Sequence, residues 1–184
     1  MLKLKKRWRV VLILLPTIVV GGWLYHRWTY PYGWSHSCDK QLMFALLQYA
    51  EEHNGEFPAG EATPEASLSL LYPKYANEWV LQGRTVPLEV VKAILERGDR
   101  LSPDSCGWHY VDGLRLDDDS RLALWWDKVG LGHNGQRRSD GGHTVYYINL
   151  QNEYIKASKW ESFLQEQERL IKERNEKRAN QVAK

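Results

Sequence analysis

The chain has 184 residues, 43% of them hydrophobic and 26% charged, with 9 Trp and 10 Tyr but only 3 Phe. That composition excludes a disordered tail protein, a collagen, a polytopic membrane protein and a disulfide-dense miniprotein, and it leaves enough chain for one buried core. The net charge of +2 hides a polarity of +6 over residues 1–30, −6 over residues 31–156 and +2 over residues 157–184, a balance that points away from nucleic acid as a partner.

The first element is apolar. Val10 to Tyr25 runs 16 residues without a charge, about 24 Å of helix, and Trp8 to Trp28 extends this to 21 residues and about 31 Å, against a hydrocarbon core of about 30 Å. Arg9, His26 and Arg27 stand close enough to the ends to snorkel, and the flanking Trp and Tyr suit an interfacial belt. A single transmembrane helix acting as a signal anchor is therefore expected over residues 1–30, with the lipid bilayer as a partner and Pro16 as a tolerated kink. The basic end is then cytoplasmic, and the remainder lies on the periplasmic or extracellular side of the inner membrane. A cleaved signal peptide is the first alternative, but Val20 to Tyr30 contains no Ala or Ser for a cleavage site. A buried core helix is the second, and it would not need five cations crowded before it.

Tyr30-Pro31-Tyr32-Gly33 breaks the helix. Ser35 or Ser37 caps a second helix running to His53, with Cys38, Leu42, Ala45, Leu46 and Tyr49 on one stripe and an exit at Asn54-Gly55. Thr63-Pro64-Glu65 opens a short helix to Tyr72, and Pro87 to Arg97 is a third, stopped by Gly98. After residue 100 the pattern turns extended. Gly107 to Val111, Arg121 to Trp126, His143 to Asn149 and Glu153 to Lys156 read as four short strands of an antiparallel meander. A last helix starts near Ser158, with a frayed tail beyond Ile171. The plan is α+β: an anchor over 1–30, a domain over 31–156, and a C-terminal helix and tail over 157–184.

Particular segments resemble bacterial pilin-like proteins related to the type II secretion pseudopilins. Cys38 to Pro58 (CDKQLMFALLQYAEEHNGEFP) is similar to the segment after their signal helix, matching at Cys38, Gln41 or Leu42, Ala45, Leu46, Tyr49, Gly55, Phe57 and Pro58. Ser67 to Tyr75 (SLSLLYPKY), Trp108 to Leu114 (WHYVDGL), and Leu124 to Asp127 (LWWD) with Gly141 to Ile155 follow in the same order. The prepilin cleavage site is missing, since Lys6-Arg7-Trp8-Arg9 runs straight into the apolar stretch, and a terminal D-G-H triplet is replaced by Asn149-Leu150-Gln151. The resemblance implies a helix packed on a small antiparallel sheet. It further implies a non-enzymatic, membrane-anchored protein with a structural or interaction role in or near a secretion or pilus-like assembly, partnered by other pilin-like or envelope proteins.

Several residues carry possible chemistry. Asp117, Asp118 and Asp119 offer hard oxygen ligands to calcium, and major pseudopilins hold calcium in this half of the fold; a solvated turn of aspartates explains the run equally. Asp127, His133 and His143 are the candidate set for a tethered enzyme or metal-binding domain, although no H-E-x-x-H, G-x-S-x-G or phosphate-loop motif accompanies them. Trp125 and Trp126 point to opposite faces of a strand, one into the core and the other toward a helix, a partner or the membrane surface; burial of both between helix and sheet explains the pair equally. Arg137 and Arg138 read as the basic tip of a solvated hairpin rather than an anion site. Cys38 and Cys106, an even pair in an oxidising compartment, form either one disulfide, worth about 4 kcal/mol for its loop of roughly 70 residues, or two unpaired thiols.

Overall fold

Four short strands pair antiparallel in the order β1-β2-β3-β4: Trp108–Tyr110, Ala123–Asp127, His143–Tyr147 and Asn152–Ile155. The computed structural model describes residues 6–34 and 39–182, with side chains for all of these except 6–11, 13, 181 and 182. The helices are α1 (Lys6–Thr29), α2 (Asp39–Glu52), α3 (Pro64–Leu68), α4 (Glu78–Gln82), α5 (Leu88–Glu96) and α6 (Ala157–Val182), with a 3-10 turn at Ser69–Leu71. This is the expected α+β order, with one helix more than the periodicity signalled. α4 is five residues long, too short to show a stripe, and Asn77 starts it by accepting the Val80 N–H at 3.1 Å. Thr63 caps α3 as its spacing predicts, its hydroxyl oxygen accepting the Ala66 N–H at 3.1 Å.

The sheet separates two apolar layers. On one side Trp108, Tyr110, Leu124, Trp125 and Tyr146 pack with Leu42, Ala45 and Leu46 of α2 and with Leu68, Leu81 and Val91 from the short helices. On the other, Ala123, Trp126, Val145 and Ile155 lie under Trp160, Phe163 and Leu164 of α6. Strict alternation would send Leu124 and Trp125 to opposite faces. A register shift between Ala123 and Trp125 puts both in the larger core and leaves Trp126 for the α6 side. All five β2 residues are buried.

Two expectations are corrected. The first is the transmembrane signal anchor: no described helix is long and apolar enough to cross a membrane. The α1 helix, Lys6–Thr29, includes Pro16, Thr17, Gly21 and Gly22 before His26 and Arg27 in its last turn. The single-pass inner-membrane localisation loses the helix on which it rested. The second is the frayed tail, because α6 continues to Val182. It lacks an apolar stripe there, but Arg174 and Arg178 reach Asp118 at 2.8 and 3.1 Å, and ion pairing replaces the apolar seam.

Backbones touch closely at one point near the centre. Gly83, with φ of +69°, faces Gly107, and the Gly107 N–H donates to the Gln82 carbonyl oxygen at 2.9 Å. A Cβ on Gly83 would stand 2.6 Å from Gly107 Cα. Gly83→Ala therefore combines left-handed strain with an immovable backbone clash, and it should cost about 2–4 kcal/mol in urea unfolding. A loss below 0.5 kcal/mol, about the scatter of a neutral surface substitution, would show that the contact yields.

Candidate functional site

Arg84 follows directly on the Gly83 turn and is the centre of a buried polar cluster. Its two terminal nitrogens donate to Asp39 Oδ1 at 2.5 Å and to Asp127 Oδ2 at 2.6 Å, while the Tyr146 hydroxyl donates to Asp39 Oδ2 at 2.8 Å. These contacts tie the start of α2, the exit of α4 and strands β2 and β3 into one unit. Arg84 and Asp127 are each 4% exposed. Burial pushes the Asp127 carboxyl up to about 7; Arg84 opposes the shift and the charge of Asp39 adds to it. Burial also works against the Arg84 charge, yet its two carboxylates outweigh this and raise its pKa. Tyr146 is likewise raised, by burial and then by Asp39. Asp127 Oδ1 has no hydrogen-bond partner among the described residues. One guanidinium between two carboxylates, largely buried, holds these elements together.

The residues singled out in sequence do not meet. Asp127 turns its carboxylate to Arg84, and His143 reaches it only through the backbone, Nδ1 donating to the Asp127 carbonyl oxygen at 2.8 Å. His143 stacks on Trp160 with ring centroids 4.1 Å apart, whereas His133 is exposed on the β2–β3 connection. The aspartate run is occupied by arginines. Asp117 pairs with Arg115, Asp118 with Arg174 and Arg178, and Asp119 with Arg121. Hydrogen bonds from Arg121 hold the Asp119 carboxyl down at about 2. No group of three His, Cys, Asp or Glu among the described residues is placed to hold a metal ion. Trp125 and Trp126 are both buried, at 1% and 7% exposure, so neither is open to a partner. Cys106 is a free, buried thiol beside the Leu81 carbonyl, and burial pushes its pKa up to about 12; Cys38, its candidate disulfide partner, lies outside the described residues.

The open surface of the molecule is α1. Ile18 is 71% exposed, Leu15 63%, Trp23 59% and Leu24 54%, and at about 100° per residue these stand on different sides of the helix. Its last turn is fastened to the rest of the fold. The Arg137 N–H donates to the Thr29 carbonyl oxygen at 2.7 Å, Arg137 Nε donates to that of Trp28 at 3.3 Å, and the guanidinium lies over the Trp28 ring. These bonds satisfy helix-end carbonyls and set a cation against the negative end of the helix dipole. No known family model, curated protein or solved structure matches the chain.

Proposed function

We propose that this chain is a non-catalytic, pilin-like assembly subunit whose α1 helix docks on the corresponding helices of other subunits in a secretion or pilus-like assembly. The observation that carries this reading is the all-round exposure of apolar side chains on α1, joined to a head in which α2 packs on a four-stranded antiparallel sheet. Exposed apolar area of this extent marks an interaction surface. A helix apolar on every side fits the interior of a helix bundle, whereas docking on one flat face would need only one stripe. The buried Arg84 cluster supports the reading by holding the foot of such a head rigid.

A photo-crosslinking residue in place of Ile18, in cells expressing the full chain, should capture a second copy or another subunit with an apolar N-terminal helix. The same probe at Glu89, on the head, should not. Crosslinks from Ile18 only to lipid, or none, would overturn the proposal. With the probe kept at position 18, Leu15→Glu with Val19→Glu should abolish capture and leave the folding of the head unchanged.

A further inference from the structure

Eight arginines from residue 39 onward have a carboxylate within 4.0 Å; the exceptions among the described residues are two neighbours, Arg137 and Arg138. They stand on the β2–β3 connection of a domain that is otherwise acidic. Both are fixed in place. Arg137 is held by the Trp28 carbonyl through Nε. Arg138 donates from Nε to the Leu131 carbonyl at 3.0 Å and from Nη2 to Thr144 Oγ1 at 2.9 Å, with its guanidinium 4.3 Å from the Tyr154 ring centroid. Among the described residues, neither terminal nitrogen of Arg137 nor Nη1 of Arg138 has a hydrogen-bond partner.

These side chains line a cavity of about 530 Å³ together with Tyr32, Lys128 and His143, and no carboxylate lines it. Lys128 is neutralised by Glu65 at 2.7 Å, so the arginines supply the excess charge; the neighbouring Asp140 is engaged by the Tyr154 hydroxyl. The connection is pinned at its base. A Cβ on Gly130 would meet the Gly142 carbonyl oxygen at 2.4 Å, Leu131 bridges Arg137, and the Gly132 N–H donates to the Gln136 carbonyl oxygen at 2.7 Å. The donors are thus held by a closed loop before any ligand arrives, which lowers the entropy cost of binding.

We propose that this pocket binds a phosphoryl group carried on a small organic molecule. Two arginines that line one cavity match a tetrahedral dianion with several acceptor oxygens. The cavity exceeds what a bare phosphate fills and falls in the range of small-molecule sites, which leaves room for the carrier beside Tyr32. His143 supplies an internal reporter: it donates from Nδ1 to Asp127, so its neutral ring leaves Nε2 unprotonated, and burial lowers its pKa. A dianion bound beside it would favour the imidazolium and move the titration upward.

Calorimetry on the full chain at fixed ionic strength, with glycerol 3-phosphate and inorganic pyrophosphate as probes, should give saturable binding. Arg138→Gln should weaken it at least about tenfold, Arg138→Lys by an intermediate factor because it keeps charge but loses the fork, and Arg97→Gln should leave it unchanged. In the unmodified protein, saturating pyrophosphate should raise the His143 titration midpoint in NMR spectra, a readout independent of whether any variant folds. Absence of saturable binding with an unmoved His143 would overturn the proposal, as would equal weakening by Arg97→Gln. Binding to phosphatidylglycerol vesicles without binding to either soluble probe would also overturn it, because the ligand would then be a lipid surface.

Discussion

Above pH 7, where Asp127 is ionised, Arg84→Met should destabilise the head by about 3–5 kcal/mol, because it leaves the buried carboxylates of Asp39 and Asp127 without their shared cation. Methionine keeps much of the volume, so the loss measures charge and hydrogen bonding rather than a cavity. Replacing all three charges at once, with Asp39→Asn, Arg84→Met and Asp127→Asn, should recover most of it, since a neutral cluster has no buried ion to compensate. If the triple variant is as unstable as Arg84→Met alone, packing rather than charge explains the loss.

The same cluster fixes a pH dependence. Asp127 has a folded pKa of about 7, against an unfolded value of about 3.9. Between these values the folded state holds a proton that the unfolded state has released, so the contribution of Asp127 to stability falls as pH rises from about 4 to 7 and levels off above. Exposed carboxylates with lowered pKa, such as Asp119, act in the opposite sense, but only below the unfolded value of about 3.9. Burial lowers the pKa of His109 and His143, which therefore contribute the opposite slope over part of the same range. In urea unfolding, the stability of the unmodified protein relative to Asp127→Asn should fall between pH 5 and pH 7.5, and a constant difference between the two would mean that Asp127 does not titrate in this range.

Much of the fold is readable where a signal is local. The α2 stripe from Leu42 to Tyr49, the Thr63-Pro64 start of α3 and the β-branched and aromatic runs of the meander each lie within a dozen residues, and each forms where its pattern places it. The polar cluster has no such signature. Arg84 meets partners 45 and 43 positions away, and Tyr146 reaches Asp39 across 107. Asp39 reads as an ordinary first-turn acid of a helix, and Arg84 as a loop cation after a glycine. The persistence of α6 is hidden for the same reason, because its last turns depend on Asp118, 56 and 60 residues back in the chain. Arg137 and Arg138 read as a solvated tip because sequence shows their charge but not that the loop folds under the end of α1.

Trp125→Ala should cost about 3–5 kcal/mol and should also loosen the polar cluster, although Trp125 makes no hydrogen bond to it. Its ring lies edge-on to Trp108 at 5.0 Å and stacks on Tyr146 at 3.8 Å, and Tyr146 in turn donates to Asp39. Removing Trp125 takes away the wall that fixes the Tyr146 ring, so the Asp39 bond should become mobile and the Tyr146 hydroxyl should exchange faster. Trp125→Phe should be milder than its lost volume suggests, since it also removes the indole N–H, which has no partner among the described residues and carries a desolvation cost. Trp126→Ala provides the contrast. Trp126 meets Trp160 and Phe163 edge-on at 5.8 and 5.9 Å, so its loss should raise amide exchange along α6 while the larger core keeps its protection. If Trp125→Ala and Trp126→Ala loosen the same amides, the sheet does not insulate its two faces, and the register shift between Ala123 and Trp125 is not what divides them.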